Sequence, residues 1–286
     1  MNHDFARRFA SRHRRSEATM SALRSGPRVT TDLDGGVGII RLNQPEKHNA
    51  IDAALVRELL DATRSLGDDP ECRVVILTGN GPSFCSGMDL SQPMGDPALG
   101  PVRGADVAMR GSVTFCLALR EIPQPVIAAV SGHAVGAGFA FAALSDLRIV
   151  APDARFNAVF TRIGMSAGDL GISWILPRLI GFTAAADVFF RARTLSGTEA
   201  LELGFATEVA DDPLARAREV AAEIAERAPL GVLHTKQLLN ASLQVGALRE
   251  HMETERRTQV LLSFSEDYAE AAVAFHQKRE PKFTGR

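Results

Sequence analysis

Cysteine is scarce in this chain of 286 residues: Cys72, Cys85 and Cys116 are the three it has. The number is odd, and no Cys-x-x-Cys or Cys/His ligand spacing occurs. A disulfide framework and a zinc site are therefore not expected, and a reducing cytoplasm is. No apolar run approaches the roughly 18 residues that a membrane span needs, so no membrane partner is expected. Net charge is also small, at −2. Nothing in it calls for nucleic acid or an anionic surface as a partner. Lysine is limited to Lys47, Lys236, Lys278 and Lys282, each with a solvated surface position as its default. Several active-site signatures are missing too. There is no GxxxxGK[ST] phosphate loop, no GxSxG nucleophile elbow, no HExxH and no EF-hand loop. Gly136-Ala-Gly138 begins like a dinucleotide fingerprint, but Phe141 stands where the third glycine belongs, which rules that reading out.

What is present describes an ordinary globular chain, 45% hydrophobic and 23% charged, long enough for a sizeable core. Residues 1–28 carry Arg7, Arg8, Arg12, Arg14, Arg15, Arg24 and Arg28 with few acids and no apolar signal region. They read as a disordered basic extension. Buried strands are expected over Val37–Leu42, Arg73–Thr78, Val126–Val130 and Leu147–Val150, from their apolar, β-branched runs. Ile51 onward reads as a helix that Asp52 can cap. Strand, helix and strand in this order suit a parallel α/β sheet. The Pro- and Gly-rich stretch 91–104 reads as a mobile loop, either a lid or a surface insertion. A helix is expected from about Ala105 to Arg120. Further helices are expected over 183–191, 198–203, 214–227, 230–242, 245–263 and 266–279.

Two turns rich in small residues follow buried strands: Phe84-Cys-Ser-Gly-Met-Asp-Leu90 and His133-Ala-Val-Gly-Ala-Gly-Phe-Ala140. The first turn of a helix leaves N–H groups without partners and favours negative charge. One donor from each turn could converge on one carbonyl oxygen and hold a developing oxyanion. The glycines could equally serve only to permit tight turns.

Taken together, five stretches resemble the enoyl-CoA hydratase/isomerase (crotonase) superfamily. They are IIRLNQPEKHNAID (39–52), RVVILTGNGPSFCSGMDL (73–90), PQPVIAAVSGHAVGAGFAFAALSDLRIVAPDARF (123–156), GDLGISWILPRLIG (168–181) and AFHQKREPKFTGR (274–286). The resemblance implies an α/β fold, a crotonase-like spiral of repeated ββα units over 29–205. It further implies a C-terminal helical trimerisation region over 206–286, and a homotrimer or hexamer. It implies an acyl-CoA substrate, with coenzyme A as part of the substrate and no other cofactor or metal. The thioester oxygen would meet the backbone N–H groups of Ser86 and Ala137. Lys47, Lys278 and Phe275 would contact the CoA portion.

The two glutamates that family hydratases use are absent, with Ala140 and Phe160 in their places. Asp169, in the matching Asp-x-Gly step, is the expected replacement for proton transfer. The alternative for Asp169 is to cap the following helix. Asp89 is the second candidate, or else the fastener of its own turn, and Asp146 is expected to be structural. The implied activity is hydration or double-bond migration of an enoyl-CoA through a thioester enolate. A non-catalytic acyl-CoA binding protein and a thioester hydrolase on the same fold are the alternatives.

Overall fold

The computed structural model describes residues 26–91, 93–244 and 246–286. Most of the basic segment 1–28 lies outside the described residues, as does Val245 at the head of the helix expected over 245–263.

Two strands followed by a helix form the repeating unit. Val29–Asp34 (β1) and Val37–Leu42 (β2) lead to Ala53–Asp68 (α1). Val74–Gly79 (β3) and Ser83–Cys85 (β4) lead to Pro101–Glu121 (α2). Val126–Val130 (β5) and His133–Val135 (β6) lead to Ala137–Leu144 (α3). Leu147–Val150 (β7) and Arg155–Asn157 (β8) lead to Ile172–Ile180 (α4) and Phe182–Arg191 (α5). Thr194–Ser196 (β9), Gly197–Glu202 (α6), Glu208–Val209 (β10) and Pro213–Ala225 (α7) complete the core.

The strands form a six-stranded sheet, β1-β2-β3-β5-β7-β10, and a four-stranded sheet, β4-β6-β8-β9. From the second repeat to the fourth, the first strand joins the large sheet and the second joins the small one. Each repeat therefore advances the chain by one place in both sheets, which is the expected spiral. Strands β2, β3, β5, β7 and β10 run parallel, and the helices supply the long crossovers that parallel pairing requires.

A parallel sheet covered on both faces reads as continuous apolar strands. Ile40, Leu42, Val75, Leu77, Ala128 and Val130 enter the main core. Their neighbours Ile39, Val74, Ile76, Ile127 and Ala129 pack on the opposite face against Ala217, Ala221 and Ala225 of α7. Helix α3 is buried at every position from Gly138 to Leu144, as expected of a helix that is apolar all round. Phe139 anchors it against Phe156 and Phe205, with ring centroids 5.5 and 5.2 Å away.

Some expectations change. β1 precedes the strand expected first, paired antiparallel with β2 at the sheet edge; its outward, polar residues conceal it. Helix α2 starts at Pro101, inside the expected loop, because proline suits the first turn of a helix. The expected boundary at 205/206 falls before β10, which joins the large sheet, and before α7, which packs on it. The helices that leave the core are Pro229–Ser242 (α8), Leu248–Leu262 (α9) and Glu266–Gln277 (α10). α9 buries no residue, and α8 buries only Lys236. Lys236 is thus not a solvated lysine. Its Nζ donates to the Gln124 carbonyl and meets Asp146 Oδ2, both at 2.8 Å. Asp146 also pairs with Arg120 at 3.1 Å and accepts the Val126 N–H at 2.8 Å, a structural role. Among the described residues, no helix is long and apolar enough to cross a membrane.

Candidate active site

The loops after β3 and β5 bring the two small-residue turns together. Gly87 sits so close to the second turn that a Cβ there would lie 2.8 Å from the Val135 oxygen and 3.8 Å from the Ala137 nitrogen. Its φ of +84° also favours glycine. A Cβ on Gly138 lies in helical backbone, yet would stand 2.4 Å from the Cys85 oxygen. Those of the glycines that press the turns together therefore do more than turn the chain.

Ala137 is the first residue of α3, and its N–H has no acceptor among the described residues. It is one of the orphan donors of a helix start. Ser86 behaves differently from expectation. Its N–H donates to the His48 carbonyl at 3.0 Å, so it is already satisfied. Downstream, the Ile51 N–H donates to Gly87 O at 2.7 Å, and the Asp89 N–H donates to Ile51 O at 3.0 Å. Backbone groups alternate in direction along an extended segment. With Gly87 O and Asp89 N–H turned toward Ile51, the Met88 N–H faces away from it. That N–H has no acceptor among the described residues. Met88, two residues beyond Ser86, is therefore a free donor of this turn. What fixes it is a bridge to Ile51, a pairing that the local spacing of the first turn does not reveal.

Asp169 is the unpartnered acid. Its Oδ1 is buried and has no hydrogen-bond partner among the described residues, and burial pushes its carboxyl above the usual range. It does not cap α4. The cap position is Gly171, with no side-chain cap bond, and Asp169 contributes only its backbone carbonyl to Ile172 N–H at 3.0 Å. Leu170, a bulky residue, is held at a left-handed φ of +48° directly after it. Strain of this kind collects at functional sites. On α2, the Cys116 thiol is pushed up to about 12, by burial first and then by the Asp169 charge.

Asp89 does not fit the proton-transfer role. It accepts from Ser91 N–H at 3.0 Å and from the Ser91 hydroxyl, and it pairs with Lys47 at 3.0 Å. The Ser91 hydroxyl, followed by Lys47, holds its carboxyl down at about 2. It stays ionised at neutral pH and fastens its turn. Lys47 lies beside the first turn through this pair. Among the described residues, Lys47 pairs with Asp89 and not with Phe275 or Lys278. Phe275 is 81% exposed, and Lys278 ends α10 in left-handed backbone. The chain end beyond them is held by Arg73, which donates to Phe283 O at 3.1 Å. Arg73 precedes β3, whereas the site turns follow the other ends of β3 and β5.

Residues 32–286 match the family described as enoyl-CoA hydratase/isomerase. The chain belongs to that family. A Mycobacterium tuberculosis protein named "Probable enoyl-CoA hydratase echA6" is 37% identical over 246 residues, covering 86% of this chain and 95% of the relative. The 1,2-epoxyphenylacetyl-CoA isomerase of Escherichia coli is 33% identical over 261 residues, covering 90% and 98%. The crystal structure of an enoyl-CoA hydratase from Bacillus anthracis superposes with a TM-score of 0.85 at 30% identity, covering 91% of this chain and all (100%) of that one. The protein is an enzyme of the hydratase/isomerase type, and the binding-only and hydrolase alternatives are not favoured.

In this hydratase/isomerase, Ala140 is completely buried in α3. Phe160 lies in the 3-10 turn Val159–Ile163 and is 4% exposed. Its Cε1 stands 3.9 Å from where a Cβ on Gly136 would be. Apolar groups thus flank the Gly136–Gly138 turn, and Asp169 keeps a buried carboxylate oxygen without a partner among the described residues.

Proposed function

We propose that this enzyme moves a double bond within an enoyl-CoA thioester, converting a 3-enoyl to a 2-enoyl chain. The thioester oxygen accepts the N–H groups of Met88 and Ala137. Asp169 takes a proton from the α carbon, and the electron pair delocalises into a dienolate whose charge rests on that oxygen. The same proton then returns to the γ carbon, so nothing is gained or lost. One donor of this kind is worth about 10²–10³ in rate. A carboxyl with a raised pKa is a better base for an α proton.

The observation that carries this reading is the Asp169 carboxylate, whose Oδ1 is buried with no hydrogen-bond partner among the described residues. Hydration needs a water held and activated beside the chain, and Ala140 and Phe160 offer it no polar group. The decisive assay compares 3-enoyl-CoA and 2-enoyl-CoA as substrates. Conjugation of the former should exceed hydration of the latter by orders of magnitude. Rapid formation of a 3-hydroxyacyl product from 2-enoyl-CoA would overturn the proposal.

Lys47 would meet a CoA phosphate by exchanging Asp89 for it, a reading that its position beside the first turn supports. Coenzyme A, as part of the substrate, is the only cofactor proposed. Assembly as a homotrimer or hexamer is supported by exposed apolar residues on and beside the last helices, among them Leu248, Leu261 and Phe264 at 72, 62 and 85%. Light scattering of the purified protein tests that. The three cysteines are buried and unpaired, in keeping with a cytoplasmic place, and the acyl-CoA chemistry suits fatty acid metabolism.

A further inference from the structure

Asn49 is a fully buried polar residue outside the reacting groups. Its Oδ1 accepts the Gln44 N–H at 2.9 Å. Its Nδ2 donates to the carbonyls of Ser83, Asn80 and Phe84 at 2.7, 3.0 and 3.2 Å. One amide thus ties the 44–51 turn to the loop that carries β4. Gly79 makes room for it: a Cβ there would stand 2.7 Å from Nδ2. The backbone is equally unusual. His48 and Asn49 are consecutive left-handed residues, with φ of +51° and +56°, a conformation that asparagine tolerates better than most.

This kink aims the His48 carbonyl at the Ser86 N–H and presents both backbone groups of Ile51 to Gly87 and Asp89. Those three bonds consume the neighbours of Met88 and leave its N–H alone on the other side. We infer that Asn49 is a positioning residue for the Met88 donor: its side chain fixes the 80–84 loop, and its backbone fixes the register of 86–89. The inference rests on the proposed role of Met88 N–H at the thioester oxygen. A misplacement of about 1 Å in such a site can cost about 10²-fold in rate.

Two full-length variants test it. Asn49→Asp keeps the acceptor for Gln44 and the tolerance of left-handed backbone, but opposes three carbonyls with a carboxylate. Asn49→Gly keeps the backbone conformation and removes the side chain, and so serves if the first fails to fold. Hydrogen exchange at the Ser86 and Asp89 amides should quicken in either variant relative to the β5 amides. On 3-enoyl-CoA, kcat should fall about 10²-fold with little change in KM. Bound acetoacetyl-CoA should lose its enolate absorption band, while affinity for saturated butyryl-CoA is kept. Unchanged exchange at Ser86 and Asp89, or equal losses of butyryl-CoA affinity and kcat, overturns the positioning role. A wild-type enzyme that never binds acetoacetyl-CoA as its enolate sinks the thioester-oxygen reading instead. In that case the exchange data still decide whether Asn49 fixes the register of 86–89.

Discussion

The ammonium of Lys236 meets the carboxylate of Asp146 at 2.8 Å in a place where 6% of the lysine side chain remains exposed. This contact joins α8 to the residue that precedes β7. Burial pulls the lysine's pKa down, and Asp146 works against that. Removing one partner of a buried pair typically costs about 3–5 kcal/mol. Asp146 would keep Arg120 and the Val126 N–H, so Lys236→Met should cost roughly 3 kcal/mol, the lower end of that range. Urea unfolding reads it. A loss below about 1 kcal/mol would rank the pair with exposed salt bridges.

Asp169→Asn separates activity from stability. Loss of a general base should lower kcat on 3-enoyl-CoA by about 10²–10⁴. The folded-state pKa of Asp169 is raised above its ordinary value of 3.8, so the folded enzyme holds this proton more tightly than the unfolded chain. Its contribution to stability is fully present below 3.8 and is lost as pH rises through the folded value. An asparagine escapes that loss. The variant's Tm should therefore exceed the wild type's at neutral pH, and the gap should close in acid. A gap that is constant with pH would contradict the burial argument.

Asp89→Asn should do the opposite. Its carboxyl is held at about 2, below the ordinary 3.8. Its stabilisation is present above 3.8 and is lost as pH falls toward 2. At neutral pH the variant should lose about 1 kcal/mol, the upper end for a solvent-screened pair, and should approach wild type near pH 2. Because the Asp89 N–H to Ile51 bond is untouched, kcat should fall far less than in Asp169→Asn. Equal falls would restore Asp89 as a candidate base.

Gly138→Ala tests the contact between the two turns. The added Cβ would lie 2.4 Å from Cys85 O and 2.7 Å from Cys85 Cβ, so β4 or α3 must shift. A destabilisation of about 1–3 kcal/mol is expected, with a larger fall in kcat than rise in KM. Gly231→Ala on α8 is the control. Its Cβ would meet only Ala228 at 3.8 Å, and alanine there should stabilise by about 0.5–1 kcal/mol. Steady-state kinetics and thermal melts on the two variants suffice.

The large sheet was legible in the sequence because it is buried on both faces. Val37–Leu42, Val126–Val130 and Leu147–Val150 match the expected strands end for end. β4, β6, β8 and β9 have three residues each, too few to display a period, and they exist because the preceding repeat offers them an edge. In the site, Ala137 was readable because its glycines announce a tight turn before a helix. Met88 was not, because its freedom is decided by Ile51, far away in the chain. Asp89 and Asp169 look alike as letters. Folding brings Lys47 to the first, beside its neighbour Ser91, and leaves the Oδ1 of the second without a partner among the described residues. Lys236 misled for the same reason: the sequence of an exposed helix does not disclose that an aspartate waits beneath it.

The groups proposed to receive the negative charge, the N–H of Met88 and the N–H of Ala137, belong to the main chain. Any residue but proline at those two positions would carry the same donor, so side-chain substitutions there can drift without erasing it. The groups that would decide what becomes of the enolate are side chains, at positions 140, 160 and 169. Inheritance can therefore alter the reaction while the means of stabilising its intermediate passes on untouched. Descendants of one scaffold would diverge by trading a few carboxylates for apolar groups, or the reverse, with no need to rebuild the fold.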